Sequence, residues 1–378
     1  EANTTALNNT AIGYKSLEAN TTGAQNTGLG SYALVLNTTA ATNTAVGYNA
    51  LGASTTGAAN TAVGAYALDA NTTGANNVAV GKGALTTATT VSDNTAVGIS
   101  AMESTTGADN TGLGSAALYA NSSGASNTAV GKFALKANTT ASNNTAVGSS
   151  ALAANTTGAS NAAFGYNALG ANTTASNNSA FGFGALDANT TGTSNVAVGY
   201  GALTTASTAD NNTAVGYNAL SSNTGAGNTA LGKEALTTCS TGGSNVAIGN
   251  VALAANSSGA QNIAIGDTAL NDNTTAHGNV AIGYLAMAVN TTGASNIAIG
   301  SYALDANTTA GNNVAVGYTA LTTNTTGENN TGVGNAALNA NTTGNQNTAM
   351  GHASLDANTT GHYNTALGVG ALGGNTTA

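Results

Sequence analysis

Charged residues are scarce in this chain of 378 residues: they make up 5% of it, against about a quarter of an ordinary globular domain. Arginine is absent, and five lysines stand against fourteen acidic residues, for a net charge of −9. Five lysines cannot neutralise a phosphate backbone, and the sequence contains no basic patch. Nucleic-acid binding is therefore disfavoured.

Cysteine, proline, tryptophan and long apolar runs are missing or nearly so. The single cysteine, Cys239, excludes a disulfide framework within the chain. It stands where most copies of the repeat described next have asparagine. No apolar run approaches the length of a membrane span or of a signal-peptide core, so we expect no membrane insertion. Low charge together with 51 glycines would by itself favour disorder.

The chain consists instead of 22 copies of a 17-residue repeat, in which Asn-Thr-Ala-Val-Gly is followed by Ala-Leu and then by Asn-Thr-Thr-Gly. The copies that open at Asn94 and Asn212 are one residue short. A flexible tract has no reason to keep an apolar residue at two fixed points of every copy. A unit this short cannot fold alone and must stack on its neighbours. The sequence therefore predicts one uninterrupted repeat array over 1–378.

The repeat length predicts an all-β fold. Seventeen residues are too few for a helical hairpin repeat, which needs about 33. We expect a single long parallel β-solenoid, or β-roll, of about 22 coils, each with two or three short strands and stacked about 4.8 Å apart. With the opening asparagine as position 0, an apolar residue at +3 and leucine at +8 (methionine at Met102 and Met287) are expected to point inwards. Alanine or glycine at +2 is then expected to face outwards, against another strand or chain.

Two invariant columns have evident structural tasks. Glycine at +4 marks a corner that needs positive φ or close backbone approach; the first four corner glycines are Gly13, Gly30, Gly47 and Gly64. The opening asparagines are expected to stack as a ladder of amide hydrogen bonds. The first eight rungs of this ladder are Asn9, Asn26, Asn43, Asn60, Asn77, Asn94, Asn110 and Asn127.

A longer repeat overlies the short one. The stretch that opens at Asn43 recurs at Asn161 and again at Asn279, each time 118 residues further on, which is seven coils with one of them short. The array therefore grew by duplication of seven-coil blocks. Growth by duplication of whole blocks suits a protein whose function depends on its length.

The tripeptides Asn-Thr-Thr and Asn-Ser-Ser, which occur 17 times, have two interpretations. They are good turn formers, because asparagine tolerates left-handed φ and caps local amides. They are also formal glycosylation sequons, and the neighbouring threonines would serve O-linked transfer. A stripe of glycans would solubilise a surface that has few charges and would limit sideways sheet association. The candidate acceptors are Asn20, Thr21, Thr22, Asn37, Thr38, Thr39, Asn71, Asn121, Asn138, Asn155, Asn172, Asn189, Asn256, Asn273, Asn290, Asn307, Asn324, Asn341 and Asn358.

Nothing in the sequence predicts catalysis, a cofactor or a metal site. The fourteen acidic residues are scattered without basic partners, so they form no acid–base pair. His277, His352 and His362 do not group as metal ligands, and the regular aspartate of calcium-binding repeats is absent. Tyrosines often follow the corner glycine, as at Tyr14 and Tyr48, and we expect them to pack between coils at the surface. We therefore predict that the protein is not an enzyme.

The Asn-Thr-Ala-Val-Gly and Ala-Leu columns resemble the head repeats of trimeric autotransporter adhesins, which carry a similar Ala-Ile-Gly motif. The form with Asn-Thr-Thr-Gly is closer still to repeats of bacterial and phage tail-fibre-like surface proteins. The adhesin heads form a left-handed parallel β-roll. The resemblance covers essentially the whole chain and implies a β-roll or β-solenoid, an extracellular setting and, frequently, trimerisation. The repeat is longer here than in the adhesin heads, and the sequence contains no stalk, coiled coil, anchor or chaperone domain.

These observations predict a structural protein. The sequence starts at Glu1 and stops at Ala378, both within a repeat, and an unlike capping unit is seen at neither end. We therefore expect end-to-end stacking with copies of itself into an extracellular or cell-surface filament, with glycans as a further covalent partner. The alternative is the shaft or head of a trimeric adhesin or tail fibre. A smaller alternative is ice binding through the threonines at +1, although valine or isoleucine replaces them repeatedly from Val246 to Val314.

Overall fold

A computed structural model describes residues 5–377 and shows an all-β chain in which each repeat forms one coil of a parallel β-solenoid. Each coil contributes one strand of three residues, at positions +1 to +3, and the described residues include no helix. The expected second and third strands are absent from these coils, and turns and bends take their place. The predicted fold class is confirmed, with one strand per coil.

The chain divides into two compact units, Glu1–Thr191 and Gly192–Ala378. The strands of the first unit are β1 Thr10–Ile12, β2 Thr27–Leu29, β3 Thr44–Val46, β4 Thr61–Val63, β5 Val78–Val80, β6 Thr95–Val97, β7 Thr111–Leu113, β8 Thr128–Val130, β9 Thr145–Val147, β10 Ala162–Phe164 and β11 Ser179–Phe181. Those of the second are β12 Val196–Val198, β13 Thr213–Val215, β14 Thr229–Leu231, β15 Val246–Ile248, β16 Ile263–Ile265, β17 Val280–Ile282, β18 Ile297–Ile299, β19 Val314–Val316, β20 Thr331–Val333, β21 Thr348–Met350 and β22 Thr365–Leu367.

Within each unit, consecutive strands pair in parallel and in register, so that like positions of neighbouring coils lie side by side. In the first unit Thr44 pairs with Thr61, and in the second Val280 pairs with Ile297. The register survives the shortened coil, where Thr95 still pairs with Thr111. The missing residue must therefore come from a part of the coil outside the strand.

The interior is lined by the small residue at +2, not by the larger apolar residue at +3. Ala45 and Ala62 are fully buried, as is Leu51 at +8, whereas Val46 is only half-buried and Leu29 is 43% exposed. The prediction that +8 points inwards is confirmed, and the prediction for +2 and +3 is wrong. Because successive side chains of a strand point to opposite faces, placing +2 inside turns +1 and +3 outwards together.

The narrow interior explains why +2 is always small. A side-chain carbon added at Gly332 would lie 3.4 Å from Cδ1 of Leu321, the +8 leucine of the preceding coil. Alanine therefore fills the available space, and valine would not fit. At Gly112 the same carbon would lie 2.7 Å from Cγ of Met102, so the Met102 side chain occupies the space that an alanine methyl group would take there. Met287 and Ala298, at the equivalent positions of a later pair of coils, are both fully buried, so methionine at +8 does not always require glycine at +2. The +2 column faces its own core and no second chain.

Left-handed backbone occurs three times in a typical coil, at +6, +8 and +16. Tyr32, Leu34 and Thr42 have φ of 61°, 51° and 62°, which for residues other than glycine costs roughly 1–2 kcal/mol each. Each of these N–H groups donates to a carbonyl of an adjacent coil, for example Leu34 to Ala50 at 3.1 Å. The inter-coil hydrogen bonds offset the conformational cost. The asparagines of the Asn-Thr-Thr turn, where we expected left-handed φ, do not have it.

The corner glycines are required both by their conformation and by space. At +4, φ lies between +124° and +140°. A side-chain carbon at Gly47 would lie 2.6 Å from the carbonyl oxygen of Gly64 in the next coil. No other residue type satisfies both conditions, which accounts for glycine in every copy.

The coil edges and the hydroxyl columns as candidate functional surfaces

Each coil is hydrogen-bonded to both of its neighbours around most of its perimeter. In the coil that opens at Asn43, the Thr44 and Leu51 N–H groups donate forwards, to carbonyls of the next coil at 2.9 and 3.0 Å. The Gly47 and Asn49 N–H groups donate backwards, to the preceding coil at 2.8 and 3.0 Å. The two edges of a coil therefore carry complementary donors and acceptors, and the pattern repeats from coil to coil.

The opening asparagines form a buried ladder. The Asn60 backbone N–H donates to Oδ1 of Asn43 at 2.8 Å, and the Asn60 Nδ2 donates across its own coil to the Gly74 carbonyl at 2.9 Å. The backbone-to-Oδ1 bond recurs at each of the eight predicted rungs, from Asn9 to Asn127. Since a buried amide left without partners costs about 1–3 kcal/mol, asparagine is difficult to replace here.

A second asparagine ladder runs through position +11, where the sequence suggested a turn or a glycosylation sequon. The Nδ2 of Asn155 donates to Oδ1 of Asn138 in the preceding coil and to the Gly158 carbonyl, both at 2.9 Å. Sequence reasoning missed this ladder because Asn-Thr-Thr-Gly also satisfies a turn pattern. The signal that could have revealed it was the fixed distance of eleven residues from the opening asparagine.

Burial of the second ladder removes the asparagines from the candidate glycan acceptors. All fifteen of them, from Asn20 to Asn358, are at most 2% exposed. Their amide nitrogens lie inside the coil and donate hydrogen bonds to carbonyls or to neighbouring amides, as at Asn138. The folded solenoid has no room for a glycan on these nitrogens. The threonine candidates, which follow at +12 and +13, lie nearer the surface.

The ladder at +11 is interrupted where other residues take the position. Ala88 replaces asparagine after Asn71, and the buried Asn71 Oδ1 has no hydrogen-bond donor within residues 5–377. Cys239 takes the same position in the second unit. Its thiol is fully buried and donates to the Gly242 carbonyl at 3.1 Å. Burial raises the pKa of the Cys239 thiol to about 11, so the group is neutral and unreactive at ordinary pH.

Aromatic side chains at +5 and +6 line one exposed edge of the coils. Tyr14, Tyr32, Tyr48 and Tyr66 follow one another in edge-to-face contact, with ring centroids 5.3–5.8 Å apart. Tyr14 is 62% exposed and Tyr48 is 48% exposed. The rings therefore pack between coils at the surface and contribute about 0.5–1.5 kcal/mol per pair.

The titratable groups of the described chain are dispersed and form structural contacts. The ring nitrogen Nδ1 of His277 accepts the Ala260 N–H at 2.9 Å, and that of His362 accepts the Asn345 N–H at 3.0 Å. Burial raises the pKa values of the Asp69 and Asp305 carboxyls. Across residues 5–377, no three histidine, cysteine or acidic side chains are grouped so as to hold a metal ion. None of the elements described there is a helix long and apolar enough to cross a bilayer.

These features define a parallel β-solenoid of seventeen-residue coils, held together by two asparagine ladders and by hydrogen bonds around the coil perimeter. Comparison of the chain with protein-family models and with curated protein sequences found no match.

Proposed function

We propose that this protein is a structural subunit of an extracellular filament, assembled by axial stacking of β-solenoid coils. The observation that carries the proposal is the equivalence of the coil-to-coil contact. Within each unit the same register and the same hydrogen bonds recur between successive coils. The forward edge of one repeat coil therefore fits the backward edge of any other, including one from a second copy.

Such a contact joins unlike surfaces and does not close on itself. An interface between a forward edge and a backward edge is heterologous, and it generates open filaments when successive copies are related by translation along an axis. An unpaired parallel strand edge also presents free N–H and C=O groups that favour the addition of another strand. The scarcity of charge, with a net charge of −9 spread over 378 residues, opposes this association only weakly. The extracellular setting rests on the resemblance to adhesin and tail-fibre repeats.

The proposal is tested by imaging the purified chain by cryo-electron microscopy. We expect fibres as wide as one solenoid, with an axial repeat near the strand spacing of about 4.8 Å. A folded domain joined directly to Ala378 should block forward stacking, whereas the same domain on a long flexible linker should leave fibres intact. Fibres that form equally well with both fusions, or a parent chain that stays monomeric at high concentration, would contradict axial stacking.

A second candidate function is the shaft or head of a trimeric adhesin or tail fibre. The outward face of the sheet favours it, because five successive strands of the second unit, β15 to β19, carry valine or isoleucine at both +1 and +3. Ile297 and Ile299 are 37% and 38% exposed there. Exposed apolar faces of this kind mark protein–protein contacts. Discrete rods of three chains in the same images would support this function and exclude the single-solenoid filament.

A further inference from the structure

Position +13 carries a hydroxyl group in every coil that has the position. Eighteen of these residues are threonine and two are serine. All are exposed except Ser258, which is half-buried. They are Thr22, Thr39, Thr56, Thr73, Thr90, Ser123, Thr140, Thr157, Thr174, Thr191, Thr208, Thr241, Ser258, Thr275, Thr292, Thr309, Thr326, Thr343, Thr360 and Thr377. We refer to them as the outer hydroxyl column.

The adjacent column at +12 is also always threonine or serine, but there the structure supplies a reason. The Thr156 hydroxyl donates to the Thr173 carbonyl of the next coil at 3.0 Å, and the Thr139 hydroxyl donates to Thr156 in the same way. In the outer hydroxyl column the backbone N–H, and not the hydroxyl, donates the hydrogen bond to the next coil. The Thr157 N–H, for example, donates to the Thr173 carbonyl at 3.2 Å. Its hydroxyl has no hydrogen-bond partner among residues 5–377.

Exposure alone does not require a hydroxyl group. At +16, another exposed column, the chain carries residues as different as Gln25, Ala59 and Asp93. Fold stability does not require the hydroxyl at +13 either, because the one residue missing from each shortened coil is the residue at +13. They retain the +12 hydroxyls of Thr106 and Thr224, which still donate to carbonyls of the next coil. The described fold therefore gives no structural reason for a hydroxyl at +13.

We propose that the outer hydroxyl column is the site of O-linked glycosylation. The threonine or serine Oγ would attack the anomeric carbon of a nucleotide-activated sugar and form a glycosidic bond. The nucleoside diphosphate would leave, and the hydroxyl proton would pass to a base of the transferase. Threonine and serine are the two residue types that share this nucleophile, which explains why they alone occupy the column.

The surroundings of the column suit this chemistry. The preceding hydroxyl at +12 is engaged with a carbonyl, and the following residue at +14 is small and buried in most coils, for example Gly158 and Ala175. In those coils no bulky or charged side chain next to it in sequence shields the acceptor. Neutral sugars on successive coils, about 4.8 Å apart, would cover a surface that has few charges. They would also hinder sideways association of sheets.

The test is site mapping on the protein isolated from its natural source, independently of whether it forms filaments. Mild alkaline β-elimination releases an O-linked sugar and leaves a dehydrated residue that mass spectrometry locates. We expect the marks at +13, with unmodified +12 and +11 residues and with none in the shortened coils 94–109 and 212–227. Sugars mainly at +12, or their absence from the outer column, would overturn the proposal.

A second measurement separates modification from water ordering. The unmodified chain, produced in a host without the transferase, should show no thermal hysteresis and should not shape growing ice crystals. Activity in that assay would assign the regular hydroxyls to ice binding and would overturn the proposal. Failure of the same unmodified chain to form fibres would bear on the filament and not on the modification.

Discussion

The match between Met102 and Gly112 allows the packing of the core to be tested by a double-mutant cycle. In the substitution Gly112→Ala, the new methyl group would lie 2.7 Å from Cγ and 2.9 Å from Sδ of Met102. Met102 is fully buried, so its side chain can make room for the new methyl group only by repacking against its neighbours. Overpacking of this kind costs typically 1–3 kcal/mol. We therefore expect Gly112→Ala to destabilise its coil by about 2 kcal/mol.

The companion substitution Met102→Leu should reverse the effect. The double variant has leucine at +8 and alanine at +2 of the next coil, the combination found at Leu68 and Ala79, both fully buried. It should be at least as stable as the parent chain, because Gly→Ala also lowers the entropy of the unfolded chain by about 0.4–1 kcal/mol. The control is Gly332→Ala, where the nearest atoms would lie 3.3–3.5 Å away and we expect little change.

Hydrogen exchange of peptides from the coils around Met102 is the suitable assay, since repeat arrays open locally and need not unfold in one step. A loss of about 2 kcal/mol corresponds to exchange roughly 30-fold faster, at 1.4 kcal/mol per factor of ten. If Gly112→Ala exchanges like the parent, or if Met102→Leu fails to rescue it, the inward placement of +2 against the preceding +8 residue is refuted.

Three further predictions concern the polar columns. Ala88→Asn should supply the donor that the Asn71 Oδ1 lacks and slow local exchange about 5-fold, for a gain of about 1 kcal/mol; unchanged exchange would contradict the ladder. Because burial raises the pKa of the Cys239 thiol from 9.0 to about 11, its contribution to stability is complete below pH 9 and falls as the pH rises towards 11. In the variant Cys239→Asn, the decrease in stability between pH 9 and 11 that comes from the thiol should be absent when stability is measured by urea unfolding. Equal decreases in the variant and the parent chain would refute the assignment to Cys239. Thr156→Val should cost about 1 kcal/mol through the hydroxyl bond, whereas Thr157→Val should stay within about 0.5 kcal/mol of the parent; equal costs by thermal unfolding would show that the outer hydroxyl is structural.

The stacking of like positions along the solenoid axis could be predicted from the sequence, because the repeat itself determines it. Invariant glycine at +4 and asparagine at 0 imply that like positions stack, and the strands do pair residue on residue, as Thr44 with Thr61. The parallel all-β fold, the coil length and the inward leucine at +8 follow from the same regularity. The outer hydroxyl column is also visible in the sequence, but its exposure and its freedom from hydrogen bonds are not.

Which side chains of the strand point into the coil, and which point outwards, was decided by the tertiary structure. Alternation along a three-residue strand leaves two choices, and hydrophobicity alone favours placing the larger residue at +3 inside. The coil is closed around the buried leucine, two asparagines and alanine, as at Leu51 and Ala45, so the remaining space accepts only a small residue at +2. The left-handed leucines and the buried asparagines at +11 have the same origin. They are imposed by the closure of the coil and its bonds to neighbouring coils, which local sequence does not specify.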